Sequence, residues 1–134
     1  TVKYIRKKKL DYTVYLISGD EDFKQLWKDN LFFINYKKKE LIKLTEEEAA
    51  KSLLNKIICG DTSDNIKCIF PKDRKVISNK QRKLVKESEV ELEKFLKINK
   101  EANTNFKMNK KMIDFNFLPK KYHSKVNKIV KNIL

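Results

Sequence analysis

The chain has 134 residues, 40% of them hydrophobic, with 32 Lys and Arg against 18 Asp and Glu and a formal net charge of +14. That is one domain's worth of chain or a piece of a larger one, with enough apolar material for a core and too much for global disorder. Two cysteines, one histidine and no apolar run near the ~20 residues of a membrane span exclude a disulfide framework, a closed zinc site and a transmembrane helix.

In chain order, Thr1 to Lys9 reads as the end of a basic helix with Val2 and Ile5 inward, and Asp11 and Tyr12 as a turn. Thr13 to Ser18 is β-branched and aromatic, which suits a buried central strand of a parallel sheet. Gly19 follows, and Phe23, Leu26 and Trp27 then mark a short helix over Glu21 to Lys28. Asp20 and Asp22 thus fall at a strand's carboxyl end and a helix N-terminus, the edge where α/β sheets bind ligands. Leu31 to Tyr36 is a second strand, Lys37 to Lys39 a solvated tip, and Glu40 to Leu44 the return arm of a hairpin.

Thr45, with Glu48 three residues on, is a capping box for a helix that Gly60 stops, with Ala49, Leu53, Leu54, Ile57 and Ile58 inward. Asp61 to Asn65 is a polar turn and Ile66 to Phe70 an apolar connector. From Pro71 the chain turns basic, with a loop and then a helix from about Asn79. Glu87 to Ile98 continues helical with Val90, Leu92, Phe95 and Leu96 as its apolar members, and Asn99 to Asn105 reads as a polar break before a short helix to Ile113. Asp114 to Leu118 reads as extended, and Pro119 opens a last helix whose buried face is Val126, Ile129, Val130 and Ile133. Trp27, Phe32 and Phe33 read as core, Cys59 and Cys68 as buried small residues, and His123 as a surface residue.

Against this cationic background stand two acidic clusters, Ser18-Gly-Asp-Glu-Asp-Phe23 and Gly60-Asp-Thr-Ser-Asp-Asn-Ile66. A lone Asp at a turn is usually structural. Two pairs, each beside a Gly and each at an element's end, point to metal. Phosphodiester cleavage needs an activated water and a screen for charge on the leaving oxygen, and two Mg²⁺ ions roughly 4 Å apart supply both. Mg²⁺ takes hard oxygen ligands, so Asp20, Asp22, Asp61 and Asp64 are the candidate metal ligands and catalytic residues. The basic surplus points to a polyanionic partner. Lys72, Arg74, Lys75, Lys80, Arg82 and Lys83, directly after the second acidic pair, are the candidate DNA-binding residues.

These segments resemble a known family. Leu16-Ile-Ser-Gly-Asp-Glu-Asp-Phe-Lys-Gln-Leu26 resembles the SGDxDxxQL segment of 5′-3′ nucleases of the flap endonuclease type, and Cys59-Gly-Asp-Thr-Ser-Asp-Asn-Ile66 resembles their GDxSDNI segment. Met112-Ile-Asp-Phe-Asn-Phe-Leu-Pro119 is similar to the end of the nuclease domain in the branch of the T-even phage ribonuclease H. The resemblance implies an α/β, PIN-like nuclease with two Mg²⁺ ions, for which Mn²⁺ substitutes, cutting near the 5′ ends of branched or duplex DNA and of RNA primers in replication or repair. It makes Asp20 a ligand of the first metal, and Asp22, Asp61 and Asp64 the second metal's group, partly through water. Gln25 and Leu26 match the end of the first motif.

Residues 1–66 then correspond to the C-terminal part of a PIN-like core, a parallel sheet part with a hairpin, and residues 67–134 to a helical DNA-binding region. The family's other carboxylates lie upstream, so the chain reads as a fragment that alone cleaves weakly or not at all. The family's Gly-rich, potassium-binding hairpin after DNI is replaced here by Lys67-Cys-Ile-Phe-Pro-Lys72. The implied partners are 5′-flap or duplex DNA and RNA–DNA hybrid, with a single-strand-binding protein or sliding clamp as the protein candidates. The expected state is a monomer, and the expected setting is the cytoplasm of a bacterium or a virus-infected cell, with no membrane. The alternatives are a nucleic-acid-binding module without catalysis and a PIN-type ribonuclease.

Overall fold

A computed structural model describes residues 13–28, 30–73 and 76–133, with the Ile133 side chain excepted. The expected basic helix at Thr1 to Lys9 and the turn at Asp11 and Tyr12 lie outside the described residues, as do Arg74, Lys75 and the apolar contact assigned to Ile133. The fold is α/β. It has strands β1 (Val14–Ile17), β2 (Leu31–Asn35) and β3 (Glu40–Ile42), and helices α1 (Glu46–Cys59), α2 (Asn79–Glu87), α3 (Glu89–Ile98), α4 (Lys100–Ile113) and α5 (Lys120–Ile133). Short 3₁₀ helices cover Glu21–Leu26 and Phe115–Phe117. The chain forms two compact units, one of Thr1–Ala50 with Phe115–Leu134 and one of Lys51–Asp114, so the division falls inside α1.

In the first unit the sheet is mixed, in the order β1-β2-β3. β1 runs parallel to β2 with Val14 opposite Leu31 and Ile17 opposite Ile34, and β3 returns antiparallel with Phe33 opposite Ile42. The pleat sorts the side chains by face. Leu31, Phe33 and Asn35 are buried, while Tyr15, Ile17 and Leu41 on the other face are 60, 66 and 62% exposed. β1 is therefore an edge strand among the described residues, and only half-covered, rather than the buried central strand its composition suggests. Tyr15 stacks on Phe32 at 5.3 Å between ring centroids, with the Lys43 ammonium 5.6 Å from that ring.

Buried Asn35 shapes the hairpin, its Oδ1 accepting from the amides of Lys37 and Lys38 at 3.1 Å each. The capping box is as read: the Thr45 amide donates to Glu48 Oε2 at 2.8 Å, and the Glu48 amide to Thr45 Oγ1 at 3.2 Å. The chain's far segment returns to the first motif. The Phe115 amide donates to Gln25 Oε1 at 2.8 Å, and the Phe115 ring meets Phe23 edge-on at 5.9 Å. That engagement turns Phe115–Phe117 into a 3₁₀ helix where alternation suggested an extended segment. On α5 Val130 is buried, but Val126 and Ile129 are 42 and 58% exposed, so the buried stripe is narrower than its periodicity implies.

The second unit is helical. Ile58, Ile69, Phe70, Ile77, Val85, Leu92 and Ala102 form one core cluster, and Ile57, Ile66 and Ile113 a second. α2 and α3 are separate helices because Ser88 is extended, its amide closing α2 on Leu84 and its hydroxyl accepting from the Glu91 amide at 3.4 Å to open α3. Val90 is 63% exposed, unlike Leu92 beside it. The expected break over Asn99 to Asn105 shrinks to Asn99, and α4 begins at Lys100. Ala102, Asn109 and Ile113 put an inward face on that helix, on which Phe106 is half-buried, while Lys100, Glu101 and Thr104 take the solvent side. Cys59 is exposed and Cys68 half-buried, so Cys59 is no core residue.

Three carbonyls at the end of α1 find donors of different origin. The Gly60 amide donates to Lys56 O at 2.8 Å, the Ile69 amide to Ile58 O at 3.0 Å, and the wholly buried Asn109 supplies Nδ2–H to Ile57 O at 2.9 Å and Lys67 O at 2.7 Å. Helix-terminal carbonyls need such partners when buried. Gly60 stands at φ +71°, and a Cβ there would lie 2.3 Å from Ile66 O, so no other residue fits without moving backbone. Replacing Asn109 by Leu leaves two carbonyls unpaired and should cost about 2–4 kcal/mol. In urea denaturation the midpoint should fall at constant slope, and an unmoved midpoint would remove Asn109 from this role.

Candidate functional site

The first acidic pair sits where β1 ends, in the first unit. The Ser18 hydroxyl accepts from the Asp20 amide at 3.0 Å, and Asp20 Oδ1 accepts from the Asp22 amide at 2.9 Å. Asp20 is thus the N-cap of the 3₁₀ helix, with Glu21 and Asp22 in its first turn. Asp20 is exposed and Asp22 half-buried. The intervening Glu21 is drawn off by lysines: Lys38 Nζ lies 2.6 Å and Lys24 Nζ 3.1 Å from its carboxylate oxygens. These bonds, Lys38 first, hold the Glu21 carboxyl below the usual range, and the Glu21 bond raises Lys38. The Lys37 stem crosses Gly19, where an added Cβ would meet its Cε at 2.6 Å. The hairpin tip therefore borders the first acidic pair and is more than a solvated turn.

The second pair sits on the turn after α1, in the second unit. Asp61 and Ile66 exchange amide–carbonyl bonds of 2.9 and 2.7 Å and pinch off Thr62 to Asn65, with Asn65 in the left-handed region at φ +57°. Asp61 Oδ1 accepts from the Ser63 amide at 2.9 Å and from its hydroxyl, and Oδ2 meets Lys56 Nζ at 2.9 Å. Asp64 is exposed on the same turn. The Ser63 hydroxyl, the Lys56 ammonium and the Ser63 amide, in that order, hold the Asp61 carboxyl far below the usual aspartate range.

Each unit therefore brings one pair of aspartates together within a single turn. Among the described residues, neither unit gathers three or more His, Cys, Asp or Glu side chains placed to hold a metal ion. The donors present are carboxylate oxygens, the type that Mg²⁺ prefers. An ion taken up at Asp61 Oδ2 would have to exchange with, or share it with, Lys56.

The basic region begins at Lys72, which is exposed. Ser78 opens α2 with a second capping box, its amide donating to Gln81 Oε1 at 2.9 Å and its hydroxyl accepting from the Gln81 amide at 3.3 Å. Lys80 and Lys83 are exposed on that helix, and Lys83 stands 4.0 Å from Glu87. Arg82 differs, being half-buried with its guanidinium on backbone carbonyls. The residues that sequence reasoning missed are the fixers of the turns: Lys56, Ser63, Lys38 and Asn109. Ser63, two residues after an Asp, is an Asx-turn signal, and Asn109 breaks the apolar stripe of α4.

No family model and no curated protein matches the chain. No helix among the described residues is long and apolar enough to cross a membrane.

A depressed folded-state pKa adds stability that is complete above the unfolded value and is lost as pH falls through the folded one. The stability difference between wild type and Asp61→Asn should therefore be constant above about pH 5, where an unfolded aspartate is ionised, and shrink below it. Thermal midpoints from pH 2 to 7 measure this, and a difference that grows on acidification would contradict the Lys56–Asp61–Ser63 arrangement.

Proposed function

We propose that the chain is the C-terminal part of a PIN-like, Mg²⁺-dependent 5′-3′ nuclease, similar to the flap endonuclease family, that hydrolyses phosphodiester bonds in branched DNA and RNA primers. The observation that carries the reading is the pair of acidic turns. Both motifs of the family fall at element ends, each presents two aspartates from one tight turn, and a cationic loop and helix follow the second.

In this reading Asp20, Asp22, Asp61 and Asp64 hold the metal ions, which supply an activated water and charge neutralisation when bound. The 3₁₀ helix and the Asp61–Ile66 bridge fix where the carboxylates stand. Ser63 and Lys56 hold Asp61 ionised, the form a metal needs. Lys72, Lys80 and Lys83 neutralise backbone phosphates and set register without reading bases. No side chain acts as nucleophile.

The Lys56–Asp61 ion pair favours one second reading, a binding module in which a lysine takes the metal's place. A cleavage assay on 5′-flap DNA, RNA–DNA hybrid and single-stranded RNA, with and without Mg²⁺, separates the possibilities. Mg²⁺-dependent cutting of flap and hybrid supports the nuclease. Binding without cutting supports the module, and cutting of RNA alone supports a PIN-type ribonuclease.

Within the nuclease reading, Asp64→Asn should reduce turnover by tenfold or more while leaving flap affinity within about twofold; equal loss of both would contradict the metal role. Lys80→Gln with Lys83→Gln should flatten the dependence of duplex affinity on salt by about 0.9 per lost phosphate contact in the log–log slope. An unchanged slope would return that face of α2 to ordinary solvated surface.

A further inference from the structure

Arg82 is one of several cations in the basic region, yet its surroundings set it apart. Its Nη2 donates to Pro71 O at 2.7 Å and its Nε to Ile77 O at 3.4 Å. Its guanidinium carbon lies 5.4 Å from the centre of the Phe70 ring, which in turn meets Phe95 at 5.4 Å. Phe70, Ile77 and Val85 around it are buried members of one core cluster.

Pro71 and Ile77 are the two ends of the loop that carries Lys72. Pro71 also has no amide with which to fix its own position. One planar side chain thus ties both ends of the loop to α2 and to the aromatic core beneath. Lysine could not replace it, because a point charge on a flexible stem lacks the rigid fork that reaches two carbonyls while lying on a ring. Two of its five N–H donors and one face of the guanidinium are so engaged, and the side chain is half-buried.

We propose that Arg82 is a positioning residue for nucleic acid, holding Pro71 and Ile77 so that Lys72, next to Pro71, meets a backbone phosphate, and that it neutralises no phosphate itself. The inference rests on the nucleic-acid reading above. It separates two kinds of cation in one basic cluster: Lys72, Lys80 and Lys83, which face solvent, and Arg82, which shapes the surface they occupy.

The test is a set of 5′-flap DNA titrations over a range of salt with wild type, Lys72→Gln, Arg82→Lys and the double variant, each with its thermal midpoint recorded. Arg82→Lys keeps the charge and loses the fork. It should lose the same affinity as Lys72→Gln, with the same fall of about 0.9 in salt slope. The double variant should lose no more than either single one, the signature of two residues acting through one contact. Hydrogen exchange at the Val76 amide, bonded to Asp73 O at 3.3 Å within the loop, should quicken in Arg82→Lys.

Arg82→Lys binding like wild type, losses that multiply in the double variant, or Lys72→Gln without effect would each overturn the inference while leaving the nucleic-acid reading in place. Wild-type protein with no salt-dependent duplex affinity would remove that reading, and this one with it. Should Arg82→Lys fail to fold, phenylglyoxal labelling of the wild type decides. Arg82 should react slowly with or without DNA, and protection that appears only with DNA would overturn the proposal.

Discussion

The helical unit is organised by a single side-chain amide. Asn109 is fully buried on α4, and its two N–H groups reach the last part of α1 and the segment that follows the acidic turn, at Ile57 O and Lys67 O. Its orientation is set by chemistry, since the flipped amide would face two carbonyl oxygens with a third oxygen. The Ile57 carbonyl could not be buried at this depth without a donor, and the helix itself cannot supply one, because the Asp61 amide is spent on Ile66 O. Once Asn109 is in place, the ends of the Gly60–Lys67 excursion are fixed relative to α1. The turn that carries Asp61 and Asp64 then has one conformation in which to close.

The two acidic turns share a logic. In each, a carboxylate oxygen accepts from the amide two residues ahead, Asp20 from Asp22 and Asp61 from Ser63, so that the aspartate builds the turn that displays it. Each also has lysine nearby, Lys38 and Lys24 on Glu21 in one case and Lys56 on Asp61 in the other. These bonds hold the Glu21 and Asp61 carboxyls below their usual range. The difference between the turns is where the lysines fall. At the first they engage the residue between the pair, and at the second they engage a member of the pair itself.

What the sequence disclosed was local. The hairpin, the Thr45 capping box, the stop at Gly60 and the start of α2 near Asn79 are each written in a few adjacent residues, and each is found. The positions of the aspartates at element ends were legible for the same reason. Two of the misreadings arise because burial or a partner elsewhere in the chain decided the outcome. Phe115 turns because of Gln25, 90 residues away, and the polar stretch after Asn99 stays helical because Ala102 is buried in the core of the helical unit. Val126 and Ile129 have the right period for burial, but period says which residues share a face and nothing about how much of it is covered. The supports of the second turn were hidden similarly, since Asn109 lies 52 residues from Ile57.

The Phe115–Gln25 bond has a topological result. It makes the sheet-bearing unit discontinuous, with the whole of the other unit, Lys51–Asp114, nested between its two pieces. Every contact in the nested part is made within 64 consecutive residues, whereas the outer part must close a chain loop that includes it. Loop closure in an open chain costs entropy that rises with the number of flexible residues spanned, and prior collapse of the insert removes most of them. The wiring of the polypeptide thus favours an inside-out order of assembly, in which the bundle of helices gathers first and brings the two flanking strands of chain within reach of each other.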